Sequence, residues 1–470
     1  MSSISTRSMP ATTWLSEIRA SLALGGPLVL TNVIEMSMNL ISTLMIGHIG
    51  PDALAASTLA LALYNAALLF GLGLTTAVSP LIARGAGDLT TVRHAVQGGF
   101  WNAVLITGPI WVLLWEAEPI FRALGQDPAL SRAAADYMHT VQWSFLPAMV
   151  YLVLRSMLAA VERPSWAVIT GAAAIAVNAA LNLVFINGAG PIPALGLEGS
   201  GLATSLANLF MAVMLAVVVV THPRFRDVRV LAGFFRPHWT TAAALWRLGL
   251  PIGIAIMLET GMFAAAAGLI GHYDEGSLPA HAIALQVATF AFVVPLGFAQ
   301  AATVRVARAA GLQHDGAIGR GGWTALMLGM GTMGITSLVM IFAPRWIIGL
   351  FIDPDGAGAE AITRSAVTLL ALAGLFQVAD GAQVVLAGML RGLGDTRAAM
   401  VMAAVGYWGL GVPLAATLAP RLGAPGVWIG LMAGLFATAA LLLARWLSWR
   451  RTPRSGERKT TGWPHHGIST

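Results

Sequence analysis

Three carboxylates stand where a carboxylate is costly. Glu35, Glu259 and Asp380 each lie inside an apolar run, Glu259 in GLPIGIAIMLETGMFAAAAGLIGH and Asp380 in LFQVADGAQVVLAGMLRGLGDTR. A charge at the centre of a membrane helix costs at least about 2.5 to 3.5 kcal/mol on insertion scales, so such a group faces a water-filled cavity or a partner and marks an ion or substrate pathway. It can hold a proton, a bare cation or a cationic solute, one at a time. Mutual exclusion among these ligands is the physical basis of antiport. No arginine or lysine is expected at matching depth, so all three acids are read as unpaired.

The neighbours of these acids add two readings. Phe376 is one helical turn from Asp380 on the same face, placed either for a cation–π contact with a bound cation or for ordinary packing. In the first half the polar set is Asn32, Glu35, Asn39, Ser42, Thr43, Asn178, Asn182 and Thr204. Glu35, Asn39 and Ser42 follow steps of four and three and share one helix face, and Asn178 and Asn182 share another. This set reads equally as a second hydrophilic pocket or as hydrogen-bonding glue between helices.

The elements that must carry these residues follow from composition. Of 470 residues, 57% are hydrophobic and only 10% charged, far from the roughly 25% charged residues of a soluble domain. Apolar stretches of about 20 residues, enough to cross a bilayer core, recur almost end to end, twelve in all. They are continuous and rich in Leu, Ala, Gly and Val, unlike the alternating segments of about 10 residues in a membrane β-barrel. The expected fold is therefore an all-α polytopic membrane protein. There are no cysteines, which removes disulfides, thiolate metal sites and cysteine nucleophiles. The first hydrophobic run has no cleavage-site pattern behind it and reads as a retained span.

Charge orients the spans. Arg84, Arg163, Arg308 and Arg391 follow even-numbered spans, whereas Asp52, Glu118, Asp274 and Asp353 follow odd-numbered ones. By the positive-inside rule both termini are cytoplasmic, and the net charge of +6 reports topology and not a nucleic-acid partner. The expected organisation is a cytoplasmic N-terminus (1–19), a first lobe of six spans (20–221), a cytoplasmic linker (222–240), a second lobe of six (241–450) and a disordered tail (451–470). The tail holds His465 and His466, which read as solvated residues and not as a metal site.

The halves repeat. Sliding the second over the first by 224 positions aligns Pro27 with Pro251, Glu35 with Glu259, Gly73 with Gly297 and Arg84 with Arg308, and 20 of the 64 positions from 24 to 87 are identical. Chance matches in apolar helices do not align a proline, a membrane glutamate and a loop arginine at one offset. Six spans per half make the repeats parallel, two pseudo-symmetric six-helix bundles.

At this point the chain resembles the multidrug and toxic compound extrusion (MATE) transporters, in particular the NorM-like branch. The resemblance rests on GLPIGIAIMLETGMF, on AHAIALQVATFAFVVPLGFAQAATVRVARAAG and on FQVADGAQVVLAGMLRGLGDTR, where Asp380, Gln383, Gly388, Arg391, Gly392, Gly394 and Asp395 match the family pattern. It implies a V-shaped antiporter of the bacterial inner membrane, a monomer that expels small cationic amphipathic drugs or dyes in exchange for Na+ or H+, with Glu259 and Asp380 as the cation site and no other cofactor. Two departures bear on the first lobe. Ser42 stands where the family's first span usually carries an aspartate, and Asn182 stands for another. Glu35 is the residue placed to compensate.

Other classes fare worse. The only lysine is Lys459 in the tail, so a phosphate-binding loop ending in Gly-Lys-Ser/Thr is missing. GMGTMG at 329–334 matches a dinucleotide pattern inside an apolar span, and reads as a helix-packing surface. No HExxH or GxSxG motif is present, so an enzyme is not expected. A flippase of lipid-linked oligosaccharides would need arginines for pyrophosphate, and an ion-gradient-independent channel or receptor is disfavoured by the repeat and the carboxylates.

Overall fold

The computed structural model describes residues 13–85, 87–235, 238–353 and 359–451. Twelve helices among them are long and apolar enough to cross a membrane: α1 (Trp14–Gly47), α2 (Pro51–Arg84), α3 (Leu89–Trp115), α4 (Pro128–Ala160), α5 (Ser165–Asn187), α6 (Gly196–Thr221), α7 (Trp239–Tyr273), α8 (Glu275–Gly311), α9 (Asp315–Phe342), α10 (Ala359–Leu393), α11 (Thr396–Leu422) and α12 (Ala424–Trp449). The shortest, α5, has 23 residues, about 35 Å at 1.5 Å per residue, longer than the hydrocarbon core. Expectations for Lys459, His465 and His466 fall outside the described residues.

Local chemistry sets several helix starts. Asp88 accepts the N–H groups of Thr90 and Thr91 ahead of α3, and Asp127 accepts those of Ala129 and Leu130 ahead of α4, with Pro128 in the first turn. Several spans are less regular than their hydropathy implied. A 3₁₀ turn at Gln142–Ser144 interrupts α4, and α11 widens into a π-helical stretch at Ala404–Gly411. The ninth span ends at Phe342 and is followed by a separate short helix, Pro344–Ile348.

The described residues divide into two compact units, one holding Leu30–Gly253 and the other the residues up to Val29 with those from Ile254 onward. Both divisions fall inside a helix, α1 and α7, just after Pro27 and Pro251. The lobes expected as 20–221 and 241–450 therefore exchange the leading halves of these two helices. Small residues make this possible. In the first unit a Cβ on Gly73 would collide with the Gly253 backbone, and one on Gly249 would lie 2.7 Å from Leu74 Cα. In the second, a Cβ on Gly297 would run into Val29 and one on Gly25 would lie 2.8 Å from the Phe298 ring. The offset of 224 carries each member of one set onto its counterpart in the other, so the same close approaches are built twice.

Each unit has its own core. Ile46, Tyr64, Ile106, Phe121 and Phe145 centre the first, and Ile270, Leu370, Phe376, Trp428 and Leu431 the second. In the second unit α10 is the most enclosed span, 78% buried over its apolar window, and packs against α8, α9 and α12. Its glycines allow this: a Cβ on Gly388 would collide with Ala299 O of α8, and one on Gly392 would lie 2.8 Å from Thr303 O. Of the GMGTMG glycines only Gly329 makes such a contact, with Val385, while Gly331 and Gly334 have nothing within 4 Å.

Two polar features depart from expectation. Glu17, inside the stretch expected as a cytoplasmic N-terminus, is 0% exposed and receives Arg305 Nε at 2.9 Å and Nη2 at 2.7 Å. The bidentate pair ties the leading half of α1 to α8. Part of the expected linker is folded onto α3, where Gln97 Nε2 donates to Val230 O at 2.7 Å and to Ala232 O at 2.9 Å, and Trp101 Nε1 donates to Phe234 O at 3.0 Å.

Candidate functional site

In the second unit α7, α10 and α11 bring four polar side chains together. Gln383 follows Asp380 by three residues on α10, so both project from one helix face. Gln383 Nε2 donates to Glu259 Oε1 at 3.0 Å and to Asp380 Oδ1 at 3.3 Å, and Gln383 Oε1 accepts the Tyr407 hydroxyl at 2.9 Å. With those legs the two carboxylate oxygens are at most 6.3 Å apart. Asp380 and Gln383 are buried, and Glu259 is half-buried at the edge of the cluster. Like charges this close in a medium of low dielectric repel strongly. The arrangement favours capture of one positive charge between them.

The surrounding elements hold this geometry. Tyr407 lies in the π-helical stretch of α11, a distortion frequent at functional sites. The next residue, Trp408, donates its indole N–H to Leu258 O at 3.0 Å, directly before Glu259. α11 thus contacts α10 through one ring and α7 through the next. Arg391, read from the sequence as a loop-end cation, interacts electrostatically with both Glu259 and Tyr407.

Phe376 does not face this cluster as an open ring. It is 1% exposed, with Phe263 at 6.0 Å and Trp428 at 5.7 Å in edge-to-face contact. Of its two sequence readings, the structure supports packing.

The first unit is arranged differently. Glu35 on α1, expected to be unpaired, is held by Arg155 of α4, whose Nη1 lies 2.7 Å from Oε1 and 2.9 Å from Oε2. Arg155 Nη2 also donates to Asn32 Oδ1. This corrects the expectation of no arginine at matching depth. Arg155 is a lone charge within YLVLRSMLAAV, and the rule that singled out the three acids applies equally to it. Ser42, Asn178 and Asn182 do assemble: Ser42 Oγ donates to Asn178 Oδ1 at 3.0 Å, Asn182 Nδ2 donates to Asn178 O at 2.9 Å and Oδ1 at 3.3 Å, and Ser200 Oγ donates to Asn182 Oδ1 at 2.7 Å. Asn39 is exposed and Thr204 half-buried. Among the described residues, each enters the hydrogen bonding through its backbone oxygen only, from Thr43 and Asn208 respectively.

Sequence reasoning thus reached Glu259 and Asp380 but missed their connection. Gln383 had a readable signal, its spacing from Asp380. Tyr407 had none, because its alignment with α10 comes from the widened turn of α11.

Comparison with known proteins bears on both halves. The MatE family profile matches the chain twice, at residues 27–184 and 251–417. The matches begin 224 residues apart, the offset of the internal repeat. A protein of Mesorhizobium japonicum described as "Probable multidrug resistance protein NorM" is 46% identical over 444 residues, covering 93% of this chain and 95% of that protein. A protein of Pseudomonas aeruginosa with the same description is 35% identical over 445 residues, covering 93% and 90%. Among solved structures, the eukaryotic MATE transporter AtDTX14 superposes with a TM-score of 0.82 at 19% identity, over 92% of this chain and 96% of that one. A mutant of the Vibrio cholerae MATE transporter VcmN reaches 0.83 at 19% identity, over 93% and 98%. At such identities the structural likeness speaks for the fold.

Proposed function

The chain belongs to the MatE family of multidrug and toxic compound extrusion transporters, and from that premise we propose that it is a secondary antiporter, exporting cationic amphipathic compounds in exchange for Na+ or H+. Relatives described as multidrug resistance proteins support the efflux part of this reading. The observation that carries the coupling part is the shared amide of Gln383, which holds Glu259 and Asp380 together. One positive charge, inorganic ion or organic substrate, relieves the repulsion between them, and arrival of the second displaces the first. No bond is made or broken in the cargo. The protein supplies binding, exclusion and release, and needs no cofactor beyond the coupling ion. Arginines after even-numbered spans support both termini on the cytoplasmic side of a bacterial inner membrane, with the monomer as the working unit.

Ethidium efflux from vesicles tests this, with either a proton or a sodium gradient imposed. Wild-type export is expected to follow one of the two gradients, and Glu259→Gln and Asp380→Asn to uncouple it. Equal rates with no gradient would overturn antiport and favour a flippase or channel.

A further inference from the structure

We propose that Arg155 is a built-in cation for Glu35, so that the coupling cation is held by the second unit alone and the first unit binds none. The inference takes from the proposed function only that Glu259 and Asp380 hold that cation.

Three observations carry it. Both oxygens of Glu35 are engaged by one guanidinium nitrogen, at 2.7 and 2.9 Å. A guanidinium does not lose its proton in proteins, and the Arg155 side chain is 7% exposed. Drawing Glu35 away would break a buried ion pair, which is strongly unfavourable.

The side-chain oxygens of the three buried asparagines in the first polar set are also occupied. Asn32 Oδ1 accepts Arg155, Asn178 Oδ1 accepts Ser42 and Asn182, and Asn182 Oδ1 accepts Ser200. What lacks a partner there is the opposite kind of group, the buried amide nitrogens Asn32 Nδ2 and Asn178 Nδ2. Hard cations require oxygen donors, and amide N–H groups cannot ligate them. The set is short of acceptors, not of cations.

The repeat gives the third observation. Glu35 and Glu259 are related by the offset of 224, and α4 and α10 are each the fourth span of their half. The fourth span brings an arginine to the first glutamate and an aspartate to the neighbourhood of the second. Two related halves therefore have different local chemistry: one acid held in a bidentate pair by an arginine in the first, and two acids sharing an amide, with Arg391 acting electrostatically on one of them, in the second. Ser42 and Asn182, both neutral, are consistent with a half that has given up ion binding. Tyr151, on α4 with Arg155, also acts on Glu35, and adds no positive charge.

Dicyclohexylcarbodiimide, which modifies protonated carboxyls in apolar surroundings, reads each site on its own peptide by mass spectrometry of the purified full-length chain. The expected result is modification of Glu259 and Asp380, suppressed by added sodium, with Glu35 unmodified because Arg155 engages both of its oxygens. In Arg155→Gln the Glu35 label should rise by about 10-fold or more, and in Arg155→Lys it should stay low. A wild-type Glu35 that is modified and protected by sodium overturns the inference. So does an Arg155→Gln chain whose Glu35 stays unmodified while Glu259 and Asp380 react normally. Should Arg155→Gln fail to fold, the wild-type and Arg155→Lys labels decide. Absence of label on Glu259 and Asp380 counts against the coupling reading instead, and Glu35 is still scored separately.

Discussion

Gln383 has two amide hydrogens and gives one to each acid, so Glu259 and Asp380 are coupled before any ligand arrives. Residues acting as one unit lose function together. Glu259→Gln and Asp380→Asn should each lower gradient-driven ethidium efflux by about 10-fold or more, and the double variant should be no worse than the weaker single, which initial rates will show. Phe376 belongs to a different category at the same scale. As a buried ring between Phe263 and Trp428, its truncation in Phe376→Ala should cost about 3 to 5 kcal/mol of stability. Phe376→Leu should leave the KM for ethidium nearly unchanged, whereas a cation–π role would raise it.

At the scale of elements, helix association in lipid depends on close backbone approach, since lipid is as apolar as the side chains. α10 shows the consequence. Thr303 Oγ1 donates to Gly388 O at 2.9 Å across the α8–α10 contact, and the backbone beside Gly388 has no room for a methyl group. Gly388→Ala should lower stability by about 1 to 3 kcal/mol through overpacking. Gly331→Ala, in open space on α9, should raise it by about 0.5 to 1 kcal/mol through helix propensity. Thermal unfolding of the purified variants in one detergent will compare the two. The pattern of glycines was visible in the sequence, but which of them face a neighbour was not, because each lies in a similar apolar context.

For the molecule as a whole, the exchanged leading halves of α1 and α7 mean that the second unit, among the described residues, is assembled from two separate stretches of sequence. The Glu17–Arg305 pair secures one of the exchanged pieces, fully buried on the glutamate side. Removing one partner leaves a bare buried charge, so Arg305→Met should cost about 3 to 5 kcal/mol, and Glu17→Leu with Arg305→Met should recover much of that loss. Melting temperatures of the single and double variants will decide. A double variant as unstable as Arg305→Met would mean that the pair itself, and not the orphaned charge, holds the contact.

Twelve spans, their order, the parallel repeat and the acids Glu259 and Asp380 were determined by the sequence alone, because span length, hydropathy and the cost of a charge in lipid are properties of local composition. The repeat even carried the exchange in outline, since Gly25, Gly73, Gly249 and Gly297 align at one offset. Pairing was decided only by the tertiary structure. Arg155 is 120 residues from Glu35, Arg305 is 288 from Glu17 and Gln383 is 124 from Glu259. An ion pair or a shared amide depends on which faces of distant helices meet and at what depth, and hydropathy says only that each helix crosses the membrane, not which way it is turned.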